Sequence, residues 1–472
     1  MTTAVVVGGG ITGLSAARLL AMAGFDVIVL EAAQRWGGKL SPLLLNGVRL
    51  DAGAESILAR RPEGLDLVAD LGLADQVVQP SAAQPRLYIG GRLHALPASL
   101  LGVPTEPSQL ASLLSDQALR FLKSEPERPA PAFDHDLAIG RFVDERLGVE
   151  VTDVLLEPLL GGVYAGNSRR LSFQAVAPEL FERAKRGGSL LRHAQEIVAQ
   201  GKQTPVFAGL LGGVSILIDA LVDDLVRRSV VMRLKVTVQS LERTDRGFRL
   251  MIDRADQPET IMADTVLLAA PAPATGRLLS GLVPSAGKFA RLPYASVALI
   301  TLAVLGVRTD ASGVLVVPGE LPTIKAVTYS SMKWSWVASQ AQQAWEPDIE
   351  IIRISVGRHG EAATLHLDDR ALIERTFAEA RTIPGWEVAD LVQGTVSRWG
   401  GGLPQYQVAH RELVARLRDE VADVPRLAIA GAALDGIGIP ACLASARAAA
   451  AALMADGGGM IESEDQLDES ER

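Results

Sequence analysis

The sequence has 472 residues, too many for one simple core, so two or three domains of about 100–200 residues each are expected. With 48% hydrophobic and 21% charged residues, it has the composition of a globular protein and not of a disordered one. A formal net charge of -9 argues against nucleic-acid binding through the overall field, and the single cysteine, Cys442, excludes an internal disulfide, a Cys-x-x-Cys redox pair and a cysteine-rich zinc site.

The first forty residues predict a β-strand, a helix and a second strand. Residues 4–8 are a short β-branched run, residues 13–23 have helical periodicity, and residues 26–30 form another apolar run. Gly24 is expected to end the helix, and the second strand ends at Glu31. This order is typical of a βαβ unit of about thirty residues.

The rest of the chain alternates between helical and extended patterns. Helices are predicted at 63–79, over most of 106–200, at 368–382 and at 440–455. Strands and turns are predicted over 84–105 (with a hairpin turn at Gly90-Gly91), 230–252, 264–270, 293–358 and 426–430. The acidic tail, 456–472, is predicted to be disordered.

Neither a targeting segment nor a membrane span is expected from the sequence. The N-terminus lacks the basic region of a signal peptide, and the longest uncharged runs, 203–218 and 292–307, fall short of the ~20 apolar residues that a span needs. These features predict a cytoplasmic protein, with contact to a membrane surface left open.

The turn after the first strand has the pattern Gly8-x-Gly10-x-x-Gly13, which is typical of a dinucleotide-binding loop. The first glycine permits a tight turn, the second lets a pyrophosphate approach the backbone, and the third lets the helix pack closely on the strand. Glu31, at the end of the second strand, can accept hydrogen bonds from a ribose. An ordinary glycine-rich turn is the alternative interpretation.

The sequence beyond Glu31 extends this pattern. Gly37-Gly38 supplies further backbone donors, Arg35 supplies a cation, and Asp51–Glu55 supplies another turn of small residues. Nicotinamide enzymes do not need this extension, which resembles the FAD-binding start of the amine oxidase and phytoene desaturase superfamily. Near the C-terminus, 430–440 resembles the closing FAD segment of that superfamily, in which a helix N-terminus faces the flavin; an ordinary turn before a helix is the alternative.

Within that superfamily, nearly the whole chain resembles the protoporphyrinogen/coproporphyrinogen oxidases of haem biosynthesis, and most of all the soluble bacterial coproporphyrinogen III oxidase type. The resemblance rests on Glu157–Asn167 (EPLLGGVYAGN), Pro205–Phe207 with Gly212–Val214, Tyr329–Trp334, Val356–Arg358, Leu403–Tyr406 and Gly438–Cys442. The sequence departs from the family pattern at Ala409, where glycine is usual, at Asn167, where aspartate is common, and at Ala446-Arg447, which replaces a Ser-Gly type pair.

The resemblance implies an α/β fold with a Rossmann-like FAD-binding domain of discontinuous segments, a β-sheet substrate domain and a helical subdomain. The FAD-binding domain would comprise 1–75, 201–275 and 425–455, the substrate domain 76–105 and 276–424, and the helical subdomain 106–200, with the tail 456–472 outside all three.

The resemblance also implies the site residues. Those expected to contact FAD are Gly8, Gly10, Ile11, Thr12, Gly13, Glu31, Ala32, Arg35, Gly38, Lys39, Gly53, Ala54, Glu55, Ser56, Val236, Ala270, Gly431, Gly438, Ile439 and Pro440. Arg61 is expected to bind a substrate carboxylate, Gly162 to leave room for the macrocycle, and Lys333 and Arg358 to be further cationic candidates. For these three cations, an ordinary surface position is the alternative.

The implied reaction removes hydride and protons from a porphyrinogen in repeated two-electron steps, with FAD as hydride acceptor, O2 as oxidant and H2O2 as product. Such chemistry needs no strong protein base, in keeping with a sequence that shows no nucleophilic triad and no metal-type histidine spacing. Tyr406 and His410 are expected to form a buried, hydrogen-bonded structural pair, and Cys442 to be a packing residue.

The expected substrate is coproporphyrinogen III, and the expected partners are this porphyrinogen and O2. Three alternatives stay open: oxidation of protoporphyrinogen IX, another flavin amine oxidase or desaturase, and an inactive flavin or porphyrin carrier. A downstream enzyme of the haem pathway is a further possible partner, which would dock on this protein.

Overall fold

The computed structural model describes residues 2–457 except 202–204, 255–256 and 346–347, so almost all of the predicted acidic tail lies outside the described residues. The α-helices are Ile11–Met22, Pro62–Asp70, Asp116–Lys123, Ile139–Leu147, Val149–Val151, Glu157–Tyr164, Phe173–Val176, Pro178–Lys185, Leu190–Gln200, Ile216–Arg227, Ala272–Leu279, Ala286–Ala290, Ser330–Lys333, Ser335–Ala344, Asp369–Ala380, His410–Ala422 and Ile439–Gly457, with a π-helical turn at Thr152–Leu156. The strands are Thr3–Val7, Asp26–Glu31, Pro42–Leu45, Val48–Asp51, Ile57–Leu58, Val77–Val78, Pro85–Ile89, Arg92–Ala95, Ser99–Leu100, Val103–Pro104, Phe207–Leu210, Val231–Leu234, Val236–Thr244, Gly247–Arg254, Gln257–Ala263, Thr265–Leu268, Tyr294–Leu305, Gly313–Val316, Ile324–Tyr329, Ile349–Val356, Asp390–Pro404 and Leu427–Ile429.

A five-stranded parallel sheet is assembled from distant parts of the chain. Its spatial order is Val231–Leu234, Asp26–Glu31, Thr3–Val7, Thr265–Leu268 and Leu427–Ile429, which is 3-2-1-4-5 in chain order. The strand order reverses at Thr3–Val7, and ligands bind in the crevice at the carboxyl ends of strands at such a switch point.

Both faces of this sheet are buried, as parallel sheets require. The side chain of Val6 packs with the helices Ile11–Met22, Ile216–Arg227 and Ile439–Gly457. Its neighbours Val5 and Val7 point to the opposite face, where they pack in a second core with residues of the antiparallel strands 236–263 and of His410–Ala422. This alternation follows from the two-residue period of a strand.

A seven-stranded mixed sheet forms the second large layer. Its order is Asp390–Pro404, Tyr294–Leu305, Ile349–Val356, Ile324–Tyr329, Gly313–Val316, Pro85–Ile89 and Arg92–Ala95, with one parallel pair between Gly313–Val316 and Pro85–Ile89. One face packs against Asp369–Ala380 and the buried Trp386. Residues 107–200 form a separate helical core around Phe142, Phe173 and Phe181. The predicted fold class is therefore confirmed; the exact domain boundaries stay predictions.

Two predicted elements differ from the structure. The helix predicted within 63–79, with Leu71-Gly72-Leu73 as its closing signal, ends at Asp70, just before this signal, where Gly72 has a left-handed φ of +74°; the rest of the predicted range is a 3-10 turn and the strand Val77–Val78. The region 293–358, predicted to be extended, is interrupted by the helices Ser330–Lys333 and Ser335–Ala344.

The closing helix Ile439–Gly457 is, within the described part of the chain, the one helix long and apolar enough to span a membrane. The search for long uncharged runs in the sequence did not find this helix, because Arg447 lies within it. The helix contacts Ile11–Met22 and Leu427–Ile429, and Ala446, Ala450 and Leu453 are fully buried, as in a core helix.

Candidate functional site

The three glycines of the first loop have different surroundings. Gly8 has a φ of +113°, and a Cβ on it would lie 2.7 Å from the carbonyl oxygen of Ala269. A Cβ on Gly13 would lie 1.8 Å from the carbonyl oxygen of Gly8, so the helix could not pack this closely with any side chain there. A Cβ on Gly10 would meet no described atom within 4 Å. The outer two glycines are thus required by the fold, and the middle one faces open space that fits a pyrophosphate.

The groups around this open space fit an anion followed by a ribose. Helix Ile11–Met22 begins at Ile11 without a side-chain cap and without an acidic residue in its first turn, so the N–H groups of Ile11, Thr12 and Gly13 face outward at the positive end of the helix. The Glu31 carboxylate lies beside the loop, where it accepts hydrogen bonds from the N–H groups of Gly9 (2.6 Å) and Ala33 (2.7 Å).

The second glycine pair lies directly over the first loop. The N–H of Gly37 donates to the carbonyl of Gly9 at 2.8 Å, and a Cβ on Gly38 would be 3.3 Å from the Cα of Gly10. Arg35, next to the exposed Ala32 and Ala33, donates to the carbonyl of Gly38 at 2.7 Å. The guanidinium therefore stabilises its own loop beside Gly8–Gly13.

The segment that follows Glu31 is hydrogen-bonded to a neighbouring strand. The N–H of Lys235 donates to the carbonyl of Ala33 at 3.0 Å, which brings the buried Val236 next to the segment that follows Glu31. Ala270 follows the strand Thr265–Leu268 at the switch point, and its carbonyl accepts a hydrogen bond from the Thr275 hydroxyl at 2.9 Å.

The segment 51–56 carries a buried charge cluster. Glu55 accepts hydrogen bonds from Lys333 Nζ at 2.6 Å and from Arg353 Nη1 at 2.5 Å, and Arg353 Nη2 donates to the carbonyl of Gly53 at 2.6 Å. Burial raises the pKa of Glu55, but Lys333 and Arg353 outweigh it and hold the pKa at about 2. Two predicted site residues, Glu55 and Lys333, are therefore partners of each other, and Arg353 is a member that the sequence did not reveal.

This segment also packs on Lys39. A Cβ on Gly53 would lie 2.0 Å from the carbonyl oxygen of Lys39, to which the N–H of Ala54 donates at 3.4 Å. Burial lowers the pKa of the half-buried Lys39 ammonium. Ser56 follows in the same turn, just before the strand Ile57–Leu58. The predicted cofactor residues of 35–39 and 53–56 thus form one continuous wall.

The closing segment adds a second helix N-terminus. Gly431 has a φ of +131°, and a Cβ on it would meet no described atom within 4 Å. Gly438, Ile439 and Pro440 form the start of the closing helix, which has no acidic residue in its first turn and packs along Ile11–Met22. Cys442 is buried in the first turn, with Sγ 3.7 Å from the carbonyl oxygen of Gly436, as expected of a packing residue.

The predicted substrate residues lie in two places. In helix Glu157–Tyr164, a Cβ on Gly161 would meet no described atom within 4 Å, and one on Gly162 would lie 3.6 Å from Leu315. Arg61 caps helix Pro62–Asp70, pairs with Glu63 and borders a cavity of about 520 Å³ along the closing helix. Neither Gly162 nor Lys333 is among the described residues that line this cavity.

An aromatic stack links the substrate helix to the closing segment. The ring of Tyr406 packs edge-on against Tyr164, at 5.8 Å, and face-on against His410, at 4.2 Å. The Tyr406 hydroxyl donates to the carbonyl of Ala432. Tyr406 and His410 are buried as predicted but are stacked and not hydrogen-bonded to each other, and burial lowers the pKa of His410 to about 4.

Sequence reasoning also missed Lys325, a lysine that is only 3% exposed in the strand Ile324–Tyr329. An apolar strand interrupted by one lysine is usually taken as partly solvent-facing, so the pattern gave no signal of burial.

Comparison with known proteins agrees with this geometry. A family model described as flavin containing amine oxidoreductase matches residues 11–454. A coproporphyrinogen III oxidase of Mycobacterium tuberculosis (strain H37Rv) is 37% identical over 93% of this chain and 95% of its own, one of Bacillus subtilis (strain 168) is 27% identical over 94% and 96%, and a protoporphyrinogen oxidase of Bos taurus is 28% identical over 96% and 98%.

Two solved structures extend the comparison. A candidate protoporphyrinogen oxidase from Exiguobacterium sp. 255-15 is 29% identical, with a TM-score of 0.83 over 96% of this chain and 99% of its own. A putrescine oxidase bound to putrescine is 16% identical, with a TM-score of 0.66 over 96% of this chain and 99% of its own, and shows the shared fold alone.

Proposed function

The chain belongs to the protoporphyrinogen/coproporphyrinogen oxidase family of flavin-containing amine oxidoreductases, and from this we propose that it oxidises coproporphyrinogen III to coproporphyrin III in haem biosynthesis, with FAD as cofactor, O2 as acceptor and H2O2 as product. The observation that carries the choice of substrate is the 37% identity, over almost the full length of both chains, with a coproporphyrinogen III oxidase. Protoporphyrinogen IX is the second candidate substrate, favoured by the 28% identity with the bovine protoporphyrinogen oxidase.

The residues present fit FAD. The loop Gly8–Gly13 and the N-terminus of Ile11–Met22 would hold the pyrophosphate, Glu31 the ribose and Val236 the adenine. The N-terminus of the closing helix, at Gly438–Pro440, would stabilise negative charge on the ring. When bound, FAD supplies the hydride-accepting centre that O2 regenerates.

The chain itself would position the substrate and exclude water. Gly161 and Gly162 leave open the helix face that a large macrocycle needs, and Arg61, with or without Lys333, would bind its carboxylates. Holding one carbon in line with the flavin would convert an encounter reaction into an oriented one. A cytoplasmic location, and contact with a membrane or a downstream haem-pathway enzyme, stay predictions.

The test is porphyrin fluorescence in air from purified protein with FAD and either coproporphyrinogen III or protoporphyrinogen IX. We expect an FAD-dependent rise that is faster with coproporphyrinogen III, with one H2O2 released per two electrons removed. Heat-inactivated protein controls for spontaneous oxidation of the porphyrinogen. A faster rate with protoporphyrinogen IX would reverse the substrate assignment. If neither porphyrinogen is oxidised but an amine releases H2O2, the porphyrinogen oxidase function is wrong.

A further inference from the structure

Lys325 is a buried cation without a partner among the described residues. It lies at a β-bulge between Ile324 and Ala326 and is 3% exposed. No described residue forms a hydrogen bond or an ion pair with its ammonium group, and the one charged group whose field affects it is another cation, Arg358. Burial, and secondarily Arg358, lower the pKa of Lys325 to about 8.

The surroundings of Lys325 belong to the predicted substrate side. Ala326 is the register partner of Leu315, the residue that approaches Gly162 in helix Glu157–Tyr164. That helix contacts both strands, Gly313–Val316 and Ile324–Tyr329. At the end of the helix, the N–H of His359 donates to the carbonyl of Ala165 at 2.7 Å, which fixes the neighbouring Arg358. Lys325 and Arg358 therefore flank the glycine-bearing helix.

A structural role does not account for this lysine. Holding an ammonium group in a largely buried position without a counter-ion costs free energy, whereas an apolar side chain of similar length would pack at no such cost. Arg358 has a carboxylate 3.7 Å away, on Glu361, but that carboxylate is largely exposed, so the two cations are not neutralised inside the protein. The other buried cations near the site, Lys333 and Arg353, share the Glu55 carboxylate.

We propose that Lys325, assisted by Arg358, binds a carboxylate side arm of the macrocycle at the end of helix Glu157–Tyr164. The proposal rests on the proposed function, since it assigns a carboxylate-bearing porphyrinogen to the same site. It adds to Arg61 and Lys333 a further cationic residue, on a strand that contacts the glycine-bearing helix. A substrate without a carboxylate there would leave a buried ammonium group unsatisfied, and it would therefore bind less tightly.

The experiment measures binding of coproporphyrin III and of its neutral tetramethyl ester to the FAD-loaded protein, from the change in porphyrin absorbance. Lys325→Met is expected to weaken binding of coproporphyrin III by about ten- to a hundredfold, the range for a charged hydrogen bond, and Lys325→Arg to retain most of it. The ester should bind at least as tightly to Lys325→Met as to wild type, because it leaves the ammonium group of the wild type unsatisfied. Lys288→Met, which removes an exposed lysine in helix Ala286–Ala290, is the matched control and should bind as wild type does.

The outcomes separate this inference from the proposed function. Lys325→Met should melt at the same temperature as wild type or above it, because it removes a buried charge; a lower melting temperature together with equal loss of acid and ester binding would show a structural role and overturn the inference. Equal coproporphyrin III affinity in wild type and Lys325→Met would overturn the inference about Lys325 without contradicting the proposed oxidase function. A wild type that binds coproporphyrin III through Lys325 but oxidises no porphyrinogen would refute the proposed function and leave the binding site standing.

Discussion

The two halves of the candidate site are built in opposite ways. The pyrophosphate end of the proposed dinucleotide half is formed mainly by backbone groups of one contiguous stretch, Gly8–Lys39, in which Gly8 and Gly13 are fixed by close contacts and Gly10 faces open space. The proposed substrate half draws on residues from separate parts of the chain, such as Gly162, Lys325 and Arg358. Recognition by the backbone needs a local chain path, whereas recognition by side chains needs the complete tertiary structure.

The charged residues of the site also differ in whether they have a partner within the protein. Glu31 is satisfied by two backbone N–H groups, and Glu55 by Lys333 and Arg353. Lys325 has no counter-ion among the described residues. We expect the Glu55 cluster, whose charges are paired, to serve mainly the fold, and Lys325, which has no counter-ion among the described residues, to serve a ligand.

The largest expected effect is the contrast between Gly13→Ala and Gly10→Ala. In Gly13→Ala the new methyl group overlaps the carbonyl of Gly8, so we expect a loss of several kcal/mol of stability, or no soluble protein. In Gly10→Ala the methyl group meets no described atom, so the apoprotein should keep its melting temperature while its FAD affinity falls at least about tenfold. Thermal unfolding of the apoprotein and FAD titration measure the two quantities. Unchanged FAD affinity in Gly10→Ala would place the pyrophosphate elsewhere.

The second prediction concerns the Glu55 cluster. Glu55→Gln removes the charged carboxylate that hydrogen-bonds both Lys333 and Arg353, so the free energy of unfolding should fall by about 3 kcal/mol in urea denaturation at pH 7. The matched control is Glu374→Gln, which breaks an exposed i,i+4 pair with Arg370 and should leave the denaturation midpoint unchanged. If the two variants are equally stable, the cluster has no structural role, and Lys333 would be available to bind substrate.

The same contrast explains which features could be predicted from the sequence. The βαβ start was predictable because glycine spacing, strand composition and Glu31 all lie within thirty residues. The cluster of Glu55 with Lys333 and Arg353 was not, since its members are about 280–300 positions apart and meet only through sheet packing. The pattern IKAVTY gave no signal that Lys325 is buried, because the β-bulge at this position and the contact of its strand with helix Glu157–Tyr164 are tertiary features. The helix Ser335–Ala344 was missed because β-branched runs on both sides of it favoured an extended prediction.

A third prediction concerns the pH dependence of stability at the aromatic stack that joins the two halves. His410 has a pKa of about 4 in the folded chain and about 6.5 in the unfolded chain. Between these values the unfolded state binds a proton that the folded state does not. The free energy of unfolding is therefore unaffected by His410 above pH 6.5 and falls as the pH drops towards 4, by up to about 3 kcal/mol. His410→Phe keeps the stacking on Tyr406 and should flatten this part of the wild-type curve in urea denaturation. The charged neighbours of His410 are Arg411, Asp136 and Asp435. Parallel curves of stability against pH for the two proteins would show that one of these groups, and not His410, causes the pH dependence.

The smallest expected effect is at Ala409, next to the same stack and at a position where the resembled family usually has glycine. Ala409 has a left-handed φ of +67°, and its N–H donates to Asp136 at 2.8 Å, which fixes this strained conformation at the start of His410–Ala422. Ala409→Gly should relieve about 1–2 kcal/mol of backbone strain in the folded state. The greater conformational entropy of glycine in the unfolded chain offsets part of this, so the free energy of unfolding should rise by about 0.5–1 kcal/mol. Ala415→Gly, at an exposed position inside the same helix, is the control of opposite sign and should cost about 1 kcal/mol. Urea midpoints that move in the same direction for both variants would show that the conformation of Ala409 carries no strain.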